Sequence, residues 1–143
     1  MSDKLQKFLE NQISLENKIV KSINDSADGI ENEAVSTALR GISLDSTKHA
    51  LMYRSAISLM TSTSVALNEE QLNIQKNVVN DHIKMEEAVI KELEKMLPSV
   101  TNEKVELLLK AILHDEVRHH KLLKTLYEIL IRGEAVTEGD WWD

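Results

Sequence analysis

The chain contains no cysteine, one proline and four glycines in 143 residues, and only 3% of its residues are aromatic. The absence of cysteine excludes disulfides, thiolate metal sites, iron–sulfur clusters and thiol nucleophiles. So few turn-forming residues disfavour an all-β fold and favour long helices. A bound metal would therefore need carboxylate and imidazole ligands, held on a helical framework.

Long apolar runs and a basic charge balance are also absent. No stretch of 18 apolar residues occurs, and the first residues, MSDKLQKF, lack the apolar core of a signal peptide. We therefore expect a cytoplasmic protein without a membrane partner. Seventeen Lys and Arg residues against 24 Asp and Glu residues give a net charge of −7. This balance argues against a nucleic-acid partner, because phosphate backbones attract basic surfaces.

The most informative feature is an internal repeat: residues 3–61 and 73–131 align without a gap at an offset of 70. The repeat preserves polar residues that a helix-bundle core normally lacks. A unit that keeps a Glu in its first helix and an Asp and a His in its second indicates a two-fold metal site. The preserved polar pairs are Glu16 and Glu86, Asn32-Glu33 and Asn102-Glu103, Asp45 and Asp115, and His49 and His119.

Four helices are predicted, over residues 3–24 and 31–61, then one ending at Leu97 before Pro98, and one starting after Thr101 or Asn102 and ending before Gly133. We expect Asn32 and Asn102 to cap their helices. The predicted fold is an all-α four-helix bundle of two repeated hairpins, forming a single domain over residues 1–131. Residues 132–143 form an acidic tail, in which Trp141 and Trp142 either cover the bundle end or anchor a partner.

Each predicted helix carries an inward stripe with 3–4 spacing that is apolar at its ends and polar in its middle. In the fourth helix this stripe is Val105, Leu109, Ile112, Glu116, His119, Leu123, Leu126 and Leu130. Burying an unpaired carboxylate costs several kcal/mol, roughly, so a bound cation is the simplest way to account for the polar layer. The inward polar residues are Gln12, Glu16, Ser46, His49, His82, Glu86, Glu116 and His119.

Several of these residues have alternative interpretations. Glu16 and Glu86 could instead form structural pairs with histidines or lysines, and His82 could hydrogen-bond to Glu86 or Gln12. Asp45 and Asp115 flank the stripe, where each could accept a ring N–H from a ligand histidine. Direct ligation by Asp45 stays open. The remaining histidines are expected to be solvated; they are His114 and His120.

These motifs resemble the ferritin-like superfamily, in particular the rubrerythrin-like di-metal carboxylate proteins, over residues 3–131. That family carries a lone Glu on helices 1 and 3 and Glu-x-x-His on helices 2 and 4. Glu16 and Glu86 match the lone glutamates, and the stretch from Asp115 to His119 is similar to the family's Asp-Glu-x-x-His. Helix 2 departs from the pattern, because Ser46 stands where the bridging Glu belongs.

The resemblance implies a core site for iron, or for manganese or zinc, that reacts with peroxide or dioxygen. The expected ligand set holds one or two ions, and His82 compensates for Ser46; the set is Glu16, His49, His82, Glu86, Glu116 and His119. Tyr53 is predicted to hydrogen-bond a bound oxygen species. An external electron donor is required, since the chain lacks the Cys-ligated rubredoxin module of rubrerythrins.

The resemblance further implies a crossover connection between the hairpins, and we expect a homodimer. A short antiparallel connection and a swap of halves between two chains both stay open. Two other functions compete with the oxidoreductase: a non-catalytic protein that binds or stores metal, and a structural or interaction module whose metal site has degenerated.

Overall fold

The computed structural model describes residues 2–62 and 67–132, and every regular element in these ranges is helical. Four long helices follow one another: α1, Ser2–Ala27; α2, Glu33–Thr61; α3, Glu69–Met96; and α4, Glu103–Ile131. A short 3-10 helix, Leu97–Ser99, contains Pro98 and ends the third segment. The all-α prediction is confirmed. The acidic tail with Trp141 and Trp142 lies outside the described residues.

Two compact units make up the chain, Met1–Thr63 and Ser64–Asp143. The first contains α1 packed on α2, which we call the first hairpin, and the second contains α3 packed on α4, the second hairpin. A single bundle over residues 1–131, with a crossover between its halves, stays a prediction. Within the described ranges, none of the helices has the long apolar stretch that crossing a membrane would require.

The repeat is visible in the helix bounds, because α2 and α4 begin and end at positions that differ by 70 residues. Their caps agree as well. Asn32 Oδ1 accepts a hydrogen bond from the Val35 amide at 3.1 Å, and Asn102 Oδ1 accepts from the Lys104 amide at 2.9 Å. These bonds satisfy amides that have no partner within the helix, so both predicted caps are confirmed.

Small residues form the seam of the first hairpin. Ala27, Ser43, Ser46 and Ala50 are buried there, together with Leu9. Ser43 Oγ of α2 donates to Asn24 Oδ1 of α1 at 2.7 Å, and Arg40 of α2 pairs with Asp28 of the turn at 2.8 Å. Short side chains let α1 and α2 approach closely along this line.

Larger side chains fill the seam of the second hairpin. Leu72, Val79 and Leu130 form its buried cluster, at the end where α3 begins and α4 ends. Four half-buried residues pack against them: Leu67, Ile83, Leu123 and Tyr127. Farther along the same seam three of the half-buried positions are polar, namely Glu86, Glu116 and His120. The second hairpin therefore has an apolar end and a polar middle.

The seam of α4 departs from the predicted stripe at every second place. Leu109, Glu116, Leu123 and Leu130 belong to both, whereas Val105, Ile112 and Leu126 are 44, 45 and 40% exposed. His119 is exposed as well, and the half-buried positions one residue after Ile112, His119 and Leu126 are Leu113, His120 and Tyr127. Two stripes with 3–4 spacing therefore overlap on α4, one through Ile112 and His119 and the other through Leu113 and His120. Helix α3 packs on the second of these stripes.

Candidate metal centre

The polar middle of the second hairpin brings together three of the predicted ligands. Glu86 of α3 and Glu116 and His119 of α4 each offer a ligand atom, and these atoms all lie within 4.8 Å of one another. Glu116 and His119 share a face of α4 because they are three residues apart on a helix. Glu86 reaches them across the seam, so the group joins the two helices of one hairpin.

Burial differs among the three side chains. Glu86 and Glu116 are half-buried and His119 is exposed. Glu86 Oε2 is itself buried and has no hydrogen-bond partner. A buried carboxylate oxygen without a partner costs about 1–3 kcal/mol or more, so this arrangement suits a bound cation.

The first hairpin brings together two of the three equivalent residues. Glu16 Oε1 lies 3.5 Å from His49 Nδ1, and the two side chains are 12 and 44% exposed. Ser46 occupies the place of Glu116 and is buried at 5% exposure. Glu16 Oε2 is buried without a hydrogen-bond partner, as is its counterpart on Glu86. The first hairpin thus keeps the Glu–His pair but lacks the second carboxylate.

His82 lies apart from the Glu86, Glu116 and His119 group. Its side chain is exposed, and its Nδ1 lies 3.0 Å from the carbonyl oxygen of Val78 on the same helix. This contact is with the backbone of its own helix rather than with another candidate ligand. The role of His82 as a ligand stays a prediction.

The flanking aspartates pair with cations on their own helices. Asp45 lies 3.2 Å from Lys48, and Asp115 pairs with Arg118 at the equivalent position. All four side chains are partly solvent-exposed, so these ion pairs contribute little to stability. Acceptance of a histidine N–H by Asp45 or Asp115 stays a prediction, as does the catalytic role of half-buried Tyr53.

His120 corrects one sequence-based expectation. His114 is exposed, as expected, but His120 is half-buried and its Nε2 is buried without a hydrogen-bond partner. The sequence contains an indication that His120 faces inward, because Leu113, Glu116, His120 and Leu123 follow one another at 3–4 spacing. The parallel stripe through His119 fits the same spacing, so periodicity alone could not choose between the two histidines.

Comparisons with known proteins give no match: no protein-family model, no curated protein and no solved structure is similar to this chain. The interpretation of the site therefore depends on the chemistry and geometry of its own residues.

Proposed function

We propose that the chain is a metal-binding protein of ferritin-like type in which Glu86, Glu116 and His119 hold a transition-metal ion, with iron as the expected metal. The observation that carries this proposal is the convergence of two carboxylates and one imidazole within 4.8 Å. Oxygen and imidazole nitrogen donors suit iron, manganese and zinc. The four-helix bundle and the crossover belong to the same proposal.

The distances are compatible with metal binding after a small adjustment. Metal–oxygen and metal–nitrogen bonds of about 2.1 Å allow two ligands of one ion to lie at most about 4.2 Å apart. Atoms separated by as much as 4.8 Å need to close by several tenths of an ångström. The exposed His119 side chain has room to rotate toward the two glutamates.

One ion per chain is the expected stoichiometry. The second hairpin offers three ligands on two helices, whereas the first offers only Glu16 and His49, which already contact each other. A serine hydroxyl at position 46 cannot replace a negatively charged, potentially bidentate carboxylate. The first hairpin is therefore a weaker metal site, with two protein ligands at most.

The proposed reaction is reduction of peroxide or dioxygen. A bound iron ion would supply the redox chemistry, with electrons from an external donor. Glu86, Glu116 and His119 would hold the ion, and the hydrogen-bonding role of Tyr53, which belongs to the first hairpin, stays a prediction. This part of the proposal depends on the family resemblance, whereas metal binding depends on the site geometry.

Metal analysis of protein purified without chelator tests the binding step. We expect about one transition-metal ion per chain, with an anomalous-scattering peak between Glu86 and Glu116 in a crystal. His119→Ala should lose the ion while keeping its helical circular-dichroism signal. Absence of a bound transition metal from the wild-type protein, including after incubation with ferrous, manganous and zinc salts, would overturn the proposal.

A non-catalytic interaction module is the second candidate function, and Ser46 is the observation that favours it. With Ser46 buried in place of a carboxylate, the first hairpin lacks a complete ligand set. Addition of peroxide to iron-loaded protein separates the candidates. Rapid oxidation supports the enzyme, binding without reaction supports a storage or binding protein, and absence of binding supports the interaction module.

A further inference from the structure

Two buried side-chain polar atoms in the described part of the second hairpin have no hydrogen-bond partner. They are Oε2 of Glu86, on α3, and Nε2 of His120, on α4. Buried polar groups are nearly always paired, because a buried group without a partner destabilises the fold. Glu86 belongs to the proposed metal site. His120 has no role in that site so far, and its buried nitrogen needs an explanation.

His120 lies at the level of the candidate ligands. Glu86 and His119 each offer a ligand atom, and these atoms lie within 4.8 Å of one another across the seam. His120 follows His119 directly, and it is half-buried where His119 is exposed. It also lies four residues after Glu116, so Glu116 and His120 share one face of α4. The imidazole of His120 therefore lies on the seam side of the ligand group.

The apolar end of the hairpin gives the same register independently. Ile83 of α3 and Leu123 of α4 both pack against the buried cluster at that end. Glu86 comes three residues after Ile83, and His120 comes three residues before Leu123. Three residues are about one helical turn, and the two helices run in opposite directions. Glu86 and His120 therefore lie opposite each other, one turn farther along the seam from the apolar cluster.

The two unpaired atoms are chemically complementary. An ionised carboxylate oxygen only accepts hydrogen bonds, and a neutral imidazole donates one from the nitrogen that carries its proton. The two atoms do not hydrogen-bond to each other in the structure. The ligand atoms have to close by several tenths of an ångström around an ion, so metal binding requires the Glu86 carboxylate to move. When one oxygen of Glu86 binds the ion, the other is free to accept from His120.

The first hairpin has the unpaired oxygen but lacks the donor. Glu16 Oε2, the counterpart of Glu86 Oε2, is also buried without a hydrogen-bond partner. Ala50 occupies the position equivalent to His120, and its side chain is 2% exposed and has no polar atom. A buried imidazole opposite the glutamate therefore occurs in the hairpin that brings three candidate ligands together and not in the hairpin that lacks the second carboxylate.

We propose that His120 is a positioning residue of the metal site. When the three ligands hold an ion, His120 donates a hydrogen bond from Nε2 to Glu86 Oε2 and does not contact the ion itself. This bond fixes the orientation of the Glu86 carboxylate, as the hydrogen-bond partners of metal ligands generally do. The inference rests on the proposed metal site and adds to it the residue that orients one of its ligands.

Zinc titration of the full chain and of variants at His120 tests the proposal. His120→Leu removes the donor, and its zinc affinity should fall by about 10–100-fold, the usual effect of losing such a partner. His120→Gln offers an amide N–H instead, so it should recover most of the lost affinity. His114→Leu is the control, because His114 is an exposed histidine of the same helix, and it should bind zinc as the wild type does.

Chemical denaturation of the metal-free proteins separates positioning from packing. Positioning predicts two effects of opposite sign for His120→Leu. The denaturation midpoint of the metal-free variant should rise, because a buried nitrogen without a partner is removed, whereas zinc affinity should fall. A fall in both the midpoint and the zinc affinity would assign His120 a packing role and would overturn the proposal.

Correlation spectra of the imidazole protons and nitrogens observe the bond directly in the zinc-loaded protein. We expect the Nε2 proton of His120 to be protected from exchange with solvent, and its signal to be absent from His120→Leu. A nitrogen of His119 should show the chemical-shift change of a metal ligand. The same change at a nitrogen of His120 would make His120 a ligand and would overturn the proposal.

Two further results would overturn the positioning role alone. His120→Leu binds zinc as tightly as the wild type, or His120→Gln binds it as weakly as His120→Leu. In both cases the wild type still binds zinc, so the proposed metal site is retained. A wild-type chain that binds no ferrous, manganous or zinc ion would overturn the metal site and this inference together.

Discussion

The first and second hairpins share one backbone plan and differ in the side chains that occupy it. Both begin their second helix with an Asn cap, at positions 32 and 102, and both run that helix to the same relative end. Both bring a Glu of their first helix close to a His of their second helix, Glu16 to His49 and Glu86 to His119. The difference is in the two seam positions nearest that pair, Ser46 and Ala50 against Glu116 and His120.

The contrast shows how one helical frame can carry two kinds of seam. Short side chains in the first hairpin allow close packing and cross-helix hydrogen bonds such as that of Ser43 with Asn24. Each hairpin has a buried glutamate oxygen without a protein partner, on Glu16 or Glu86, but only the second adds the unpartnered imidazole of His120 and the further carboxylate of Glu116. The first seam supports packing, and the second is suited to a ligand.

The largest expected effect is on metal binding, where the hairpins should differ most. His119→Ala should weaken affinity for a divalent transition metal by more than ~100-fold, because even residues that merely orient a ligand contribute 10–100-fold. His49→Ala, the equivalent change in the first hairpin, should leave the tight site unchanged. Equilibrium metal titration of both variants measures this difference, and equal losses would show that the ligands come from both hairpins.

Ser46→Glu removes the main difference between the hairpins. It should raise the metal stoichiometry from one ion to two per chain, since Glu16, His49 and the new carboxylate would reproduce the second group. Without metal the variant should be destabilised by about 3 kcal/mol, because the carboxylate enters a seam position that is 5% exposed. Unchanged stoichiometry would indicate that Asp45 already serves as the ligand.

His120→Leu tests the unpaired imidazole of the second seam. Removing a buried nitrogen that has no partner should stabilise the metal-free protein by about 1–2 kcal/mol. His114→Leu is the matched control, since His114 is exposed and should change the free energy of unfolding by less than about 0.5 kcal/mol. Chemical denaturation compares the two variants, and a destabilised His120→Leu would mean that a water molecule or another group satisfies Nε2.

Substitutions at the helix caps should have the smallest effect on the free energy of unfolding, and this effect should be nearly equal in the two hairpins. Asn32→Ala and Asn102→Ala should each cost about 1 kcal/mol, since each removes the acceptor for the first free amides of its helix. Thr101→Ala, one residue before the second cap, should be nearly neutral. Clearly unequal losses from the two caps, measured by denaturation, would contradict the equivalence of α2 and α4.

The sequence predicted the helices well because their end signals are local. Asn32, Asn102 and Pro98 act on their immediate neighbours, and the structure has helix boundaries close to each of them. Helix α1 extends to Ala27, past the turn expected from residue 25 onward. Side-chain and backbone contacts at the turn, including that of Asp28 with Arg40, accompany this extension.

The candidate site was less accessible to sequence reasoning, because two stripes on one helix satisfy the same 3–4 spacing. Glu116 lies on both stripes, so its inward position was predicted either way. His119 and His120 lie on different stripes, and only the packing of α3 on α4 separates them. Long-range packing is not encoded in the periodicity of a single helix.

The placement of Glu86 on α3 and of Glu116 and His119 on α4 has a mechanical consequence. An ion held by these three side chains would cross-link α3 and α4. The chain has no cysteine, so a disulfide cannot provide this cross-link. Binding only the folded hairpin, it would stabilise the fold by about 2.7 kcal/mol at 100 times its dissociation constant. The free energy of unfolding of the second hairpin would then depend on the concentration of available metal.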